Sequence, residues 1–323
     1  MGNKLPKFES NIDLVEAAQA EYDFLRLVDK HPALYCTPVL QNALYRYETY
    51  WLPLIRDHPT DYLPAPLDVE WIWHCHILNP YAYRKDCQTI VSQVVDHKPY
   101  MLRQSYVNKS RDYWQTKFHD VPFETNLKDW NPSPLQIDYQ RRSSYDIVNA
   151  AQRQRVFNYN SSLPHFRDTK FLKKALKRYK IMLSIKRNNR KVFVVPCYDN
   201  DLIWHAHQQY FTAYEKDTSK IFGSMLDHDD STSDRSPGSE HEKGSNETRR
   251  LWRKAGLKFD VPGAMYRGEP PFQFGDNVKN IFQSLANQVW CIFSVTIFLA
   301  CVSSLHYVSS SFALIIHDEK LMF

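Results

Sequence analysis

Glycine is scarce in this chain: 8 of 323 residues, where an average protein has about 7%. Loops that cradle phosphate with bare backbone need glycine at fixed offsets. Neither G-x-G-x-x-G nor G-x-x-x-x-G-K-[ST] occurs, which excludes the common nucleotide-binding fingerprints. G-x-S-x-G and H-E-x-x-H are absent too, so the local signatures of serine hydrolases and zincins are missing. Cysteine is unpaired in pattern: Cys36, Cys75, Cys87, Cys197, Cys291 and Cys301 form no Cys-x-x-Cys and follow no secretory signal. That argues against Cys-ligated zinc fingers and disulfide frameworks, and for free thiols in a reducing, cytoplasmic compartment. Gly2 invites a myristoylation reading, but Pro6 stands where that motif wants Ser or Thr.

What is present is bulk. The chain is 43% hydrophobic and 14% aromatic, with 20 Tyr and 8 Trp, enough to build one large or two ordinary cores. It also repeats itself. Asp13-Leu-Val-Glu-Ala-Ala-Gln19 returns as Asp146-Ile-Val-Asn-Ala-Ala-Gln152. Leu40, Ala43, Leu44, Arg46 and Tyr47 return as Leu172, Ala175, Leu176, Arg178 and Tyr179. Glu70-Trp-Ile-Trp73-His74-Cys-His76 returns as Asp201-Leu-Ile-Trp204-His205-Ala-His207. Ala82, Tyr83, Lys85 and Asp86 return as Ala213, Tyr214, Lys216 and Asp217. Trp114 with Asp120-Val-Pro122 returns as Trp252 with Asp260-Val-Pro262. Five blocks in one order, offset by 131–133 residues and then 138–140, indicate a tandem duplication.

The spacing of apolar residues predicts helices over 11–28, 37–55, 67–78, 79–86, 107–118, 144–158 and 168–187. Thr37-Pro38 and Asn79-Pro80 read as cap and first-turn pairs. Residues 191–195 read as a short strand or an extended entry to the second motif. The fold class expected is mainly α, a duplicated helical unit related by a pseudo-two-fold, with little sheet. The expected organisation is repeat 1 over 8–122, a linker over 123–142, repeat 2 over 143–275, and a hydrophobic tail over 276–323. The acidic, Ser-rich stretch 224–247 is expected to be a disordered insertion in repeat 2.

Each Trp-His-x-His motif admits two chemistries. On a strand, His74 and His76 would share a face and could ligate one metal. On a helix they sit about 200° apart, and the i,i+4 pairs Glu70/His74 and Asp201/His205 share faces instead. The simpler reading makes Trp73 and Trp204 core anchors and each His part of a buried polar network. The alternative is a transition-metal site drawn from Glu70, His74, His76, Asp201, His205 and His207. No other cofactor is expected. Cys75 is matched by Ala206, so the shared chemistry of the motif needs no thiol.

The segment Leu67-Asp-Val-Glu70-Trp71-Ile-Trp73-His74-Cys75-His76 with Asn79-Pro80, Tyr83 and Asp86-Cys87 resembles the signature of the glycine-rich-domain-protein-like family. Asp201-Leu-Ile-Trp204-His205-Ala-His207-Gln208 resembles its second signature, and the likeness covers roughly residues 8–275. The resemblance implies a role in development or stress responses and, for some members, association with RNA. It transfers no catalytic residues. Members of that family carry a glycine-rich C-terminal region that this sequence lacks, and no RNA-recognition signature of the K/R-G-F/Y type occurs.

Charge is unevenly spread. Residues 141–191 hold 15 Lys and Arg against Asp146 and Asp168, a local +13 in a chain of net +5. Lys173, Lys174, Lys177, Arg178 and Lys180 lie on one predicted helix and could contact an anionic ligand, an acidic protein partner or RNA. Residues 289–316 carry no Asp, Glu, Lys or Arg and are long enough to span a bilayer, which makes a C-terminal membrane anchor facing the cytosol the alternative to a fully cytoplasmic protein. The functional expectation is a non-enzymatic interaction module that binds an acidic partner through its basic helix. The alternatives are a metal-binding protein or metal-dependent enzyme, and an RNA-associated protein.

Overall fold

A computed structural model describes residues 8–99, 104–128, 139–229, 231–232 and 234–271. The tail over 276–323, and with it the expected anchor at 289–316, lies outside the described residues. Within them the architecture is helical and no strand forms. No helix among the described residues is long and apolar enough to cross a membrane.

Helix α1 spans Leu14–Asp29 and α7 spans Ile147–Asn160. Each is capped by the repeated aspartate: Asp13 accepts from the Val15 amide at 2.9 Å and Asp146 from the Asn149 amide at 3.2 Å. Helices α2 (Thr37–Arg46) and α3 (Leu52–Asp57) are joined without a break by a π-turn over Tyr47–Trp51. Pro53 explains the π-turn. Its ring has no N–H to offer the preceding turn and would press on the carbonyl four residues back, and widening to i→i−5 bonding relieves that clash. The Leu52 amide accordingly donates to the Tyr47 carbonyl. The cap of α2 differs from expectation. Cys36 takes the cap position without a capping bond from its side chain, and the Thr37 hydroxyl instead accepts from Gln152 at 2.9 Å.

The motif helices are α4 (Leu67–Ile77) and α9 (Tyr198–Gln208), followed by α5 (Pro80–Val91) and α10 (Phe211–Phe222). Helix α8 (Thr169–Asn188) repeats α2 and α3, and α6 (Gln104–Lys117) and α11 (Glu240–Lys254) supply the late tryptophans Trp114 and Trp252. Residues 191–192 belong to the turn after α8, where the Val192 amide donates to the Asn189 carbonyl, and 193–195 lead into α9 without pairing as a strand.

The two copies exchange their opening helices. α1 packs chiefly on α8 and α9 of the second copy, while α7 packs on α2 and α4 of the first. The hydrogen bonds agree. Gln19 reaches the Arg167 carbonyl and Thr169 at 3.0 Å, and its repeat mate Gln152 reaches Thr37. Arg26 donates to the Asn158 carbonyl at 2.7 Å, and Asn158 donates to Tyr35 at 2.7 Å. The arm before α1 lays Phe8 on Tyr179 and His207, and the arm before α7 places Ser143 and Ser144 on Glu48 and Asp86. This reciprocity is the contact pattern of a pseudo-two-fold. A single continuous core runs through both copies.

Composition misleads at 224–247. In place of a disordered insertion, the structure buries Met225, Leu226 and His228 and starts α11 at Glu240, with Ser239 capping the Glu242 amide at 3.1 Å. The buried stripe of α11 is Gly244, Thr248, Leu251 and Trp252, whose apolar members lie past the polar window. Gly244 is required there, because a Cβ would stand 2.6 Å from the Phe193 ring.

Candidate functional site

Both motif segments are helical, which turns the two histidines of each motif to different neighbours. The inner pair, His76 and His207, is structural. His76 meets the Tyr47 hydroxyl at 3.1 Å and Asp86 at 3.2 Å; His207 meets Tyr179 at 3.1 Å and faces Asp217 at 3.4 Å. Both ring nitrogens of His76 are hydrogen-bonded, whereas His207 is bonded through Nδ1 and its Nε2 faces Asp217 without a hydrogen bond. Burial acts to raise the Asp86 carboxyl, but hydrogen bonds from His76 and Ser144 outweigh it and hold the group at about 2. Trp73 and Trp204 are buried. Each indole donates at 2.9 Å to the tyrosine ten residues on, Tyr83 and Tyr214.

The outer pair, His74 and His205, lines a second kind of site, and here the copies diverge. In the first copy Glu70 does not pair with His74. Its Oε1 meets His97 Nε2 at 2.7 Å, while His74 Nε2 meets Glu21 Oε1 at 2.7 Å. Burial works against charge on His97, and Glu70 outweighs it, so the imidazole is raised above its usual value. Two carboxylates thus fill the space beside two histidines, leaving a void of about 20 Å³.

In the second copy the geometry is the same and the occupants are different. His228 stands where His97 does: its Nδ1 meets the Leu78 carbonyl at 2.7 Å as His97 Nδ1 meets the Gln209 carbonyl at 2.9 Å, and each ring lies edge-on to the motif tryptophan. Phe157 packs on His205 as Phe24 packs on His74. The acids are what changed. Glu21 is replaced by Gln154, which carries no charge, and Glu70 by Asp201, which is one methylene shorter. Asp201 Oδ1 stays 3.7 Å from His205 Nε2, and Asp201 Oδ1, His205 Nδ1 and Gln154 Oε1 are buried without a hydrogen-bond partner. A cavity of about 530 Å³ opens over them.

Arg153, Lys186, Arg235 and Arg249 line this cavity with Tyr198 and His241. Arg249 is engaged with Asp260 at 3.2 Å. Arg235 stacks on Tyr266 and donates to the Tyr198 hydroxyl at 3.2 Å, and among the described residues no carboxylate lies within ion-pair distance of it. Two of the lining acids are tied locally: Asp229 accepts from Ser231 and Glu269 from Tyr266. Burial, reinforced by Asp199, pushes the Asp201 carboxyl up to about 8. Burial pushes the His205 imidazolium well below its usual value, with His228 and His74 adding to the shift.

The predicted metal set is therefore redistributed. Glu70, His74, Asp201 and His205 do not form one shared cluster; among the described residues the His/Cys/Asp/Glu group with ligand atoms within 4.8 Å of one another is Asp201, His205 and His228. Sequence reasoning missed His97 and His228. The signal was there: Val95-Asp96-His97 returns as Leu226-Asp227-His228 at the same 131-residue offset as the tryptophans.

The basic helix is also divided. Lys173, Lys174 and Lys177 are exposed on α8. Lys180 lies over the Phe8 ring. Arg178 turns inward, bound to Asp199 at 2.7 Å and to the Phe259 carbonyl at 2.6 Å, and lies over Trp252. Arg46 does the same with Asp68, the Phe123 carbonyl and Trp114. Arg178 therefore belongs to the buried scaffold and not to an anion-binding face.

A duplicated helical protein with one closed and one open histidine site is the class that fold and geometry define. The chain belongs to the glycine-rich domain-containing protein-like family, whose profile matches residues 3–86 and 82–217. It is 35% identical over 283 residues to glycine-rich domain-containing protein 2 of Arabidopsis thaliana, and 36% identical over 281 residues to glycine-rich domain-containing protein 1 of the same plant. Those alignments cover 83% and 82% of this chain but 36% and 34% of the relatives, so the chain spans about a third of their length. No solved structure matches it.

Proposed function

We propose that this protein is a binding module whose second copy holds a small anionic molecule in the cavity above His205. The observation that carries this reading is the difference between the copies. In the first, the space beside the histidines is filled by the chain's own Glu21 and Glu70. In the second, the equivalent carboxylates are neutralised or shortened, and a cavity of about 530 Å³ takes their place, within the range of small-molecule sites. A ligand carboxylate or phosphate there would occupy the position Glu21 holds in the first copy, with Arg235, which has no carboxylate partner among the described residues, in the cavity wall. The test is thermal denaturation of protein in metal-stripped buffer with citrate or inorganic phosphate. The melting temperature is expected to rise with ligand, and Arg235→Ala to lose most of the rise. No shift with any small carboxylate or phosphate would overturn the reading.

A second reading rests on Lys173, Lys174 and Lys177, three exposed ammonium groups on one stretch of α8. They support contact with an acidic protein surface. Such contact would weaken steeply between 50 and 200 mM salt as counterions compete, roughly tenfold or more for several pairs. Salt-insensitive binding would contradict it.

A further inference from the structure

We infer that Asp201, His205 and His228 form a binding site for one divalent transition metal ion in the floor of the second-copy cavity. The three side chains come from two separate segments. Asp201 and His205 are one turn apart on α9, and His228 comes from the segment after α10. Their ligand atoms all lie within 4.8 Å of one another, with Asp201 Oδ1 and His205 Nε2 separated by 3.7 Å. Bonds of about 2.0–2.2 Å to a single ion place ligand atoms roughly 3–4 Å apart, so the widest pair closes by at most about 1–2 Å on loading.

The surroundings favour a metal over a hydrogen-bonded network. His228 Nδ1 meets the Leu78 carbonyl at 2.7 Å, which requires the proton on Nδ1 and leaves Nε2 with a free lone pair. Backbone fixation of the second ring nitrogen is how metal-binding histidines are oriented. Asp201 Oδ1 and His205 Nδ1 are buried without a hydrogen-bond partner, a cost that a bound ion would remove at the carboxylate. Two histidines and one carboxylate suit Zn²⁺, Co²⁺ or Fe²⁺, and the cavity leaves further coordination positions open to water or a ligand. The first copy supplies an internal control. There His97 and His74 are each taken by a glutamate at 2.7 Å, so the nitrogens an ion would need are already engaged.

The site stands without the anion reading, since its ligands are all protein groups, although an anion placed as Glu21 is would meet the same His205 Nε2. The experiment is titration of the untagged, metal-stripped protein with Co²⁺, followed by visible absorbance. One equivalent is expected, with bands of a nitrogen- and oxygen-ligated ion. Asp201→Asn keeps the shape of the side chain, and His228→Asn keeps a donor for the Leu78 carbonyl. Each is expected to weaken Co²⁺ at least tenfold while the circular-dichroism spectrum stays unchanged. His97→Asn in the first copy is expected to leave the affinity as it was. Absence of stoichiometric Co²⁺ in the folded wild-type protein, or wild-type affinity retained in Asp201→Asn and His228→Asn, would overturn the assignment.

Discussion

The residues that repeat faithfully and those that do not have separate jobs. Arg46 and Arg178 each drop a guanidinium between a buried aspartate, two backbone carbonyls and a tryptophan face. Removing one partner of such a pair strands a buried charge, which costs about 3–5 kcal/mol. Arg178→Ala should therefore destabilise the protein by that order in urea denaturation. The pH dependence has a definite sign. Burial already raises the Asp199 carboxyl, and Arg178 opposes that; without Arg178 the folded carboxyl is raised further above its unfolded value. Protonation then removes the unpaired charge, so the loss should be largest at neutral pH and shrink as pH falls toward the unfolded carboxylate range near 4. A loss that is flat with pH would mean that the arginine contributes packing and not charge. At the open site the decisive changes are as small as Glu21 to Gln154 and Glu70 to Asp201. Both were visible once the repeats were aligned, but their weight was not, because the partners His97 and His228 lie outside the motif.

At the level of elements, most helices were legible in the sequence because their apolar residues recur at helical spacing and their caps are ordinary Asp, Asn and Pro signals. The motif helices were legible for a second reason: the flanking pattern chose helix over strand, which already separated His74 from His76. α11 was not legible. Its buried face opens with Gly244 and Thr248, and neither reads as apolar. The segment is anchored by the Thr248 hydroxyl accepting from the Val195 amide at 3.0 Å and by the close approach of Gly244 to Phe193. Those are tertiary contacts that no local pattern announces. The same segment carries His228 into the site, so misjudging 224–247 also hid the third ligand. The basic helix shows the converse. Its amphipathic pattern was plain, but the inward turn of Arg178 depends on Asp199 and Trp252, which are distant in sequence.

For the whole molecule, the duplication reads directly from the sequence and the exchange of opening helices does not, because equivalent partners in two similar copies are interchangeable in any local pattern. The exchange has a mechanical consequence. Each motif helix is covered by the opening helix of the other copy, so neither half can bury its motif alone. Residues 8–128 and 139–271 expressed separately should fail to give a cooperative thermal transition, and mixing them should restore helical circular dichroism. A half that melts cooperatively by itself near the wild-type temperature would contradict the exchange.

The second copy is open because Gln154 stands where the first copy has Glu21. Calorimetric titration of wild-type protein and Gln154→Glu with the same small anion, citrate or inorganic phosphate, tests it most directly. The new carboxylate is expected to settle on His205 as Glu21 does on His74 and to weaken the anion at least tenfold, about 1.4 kcal/mol. Equal affinity in the two proteins would contradict it.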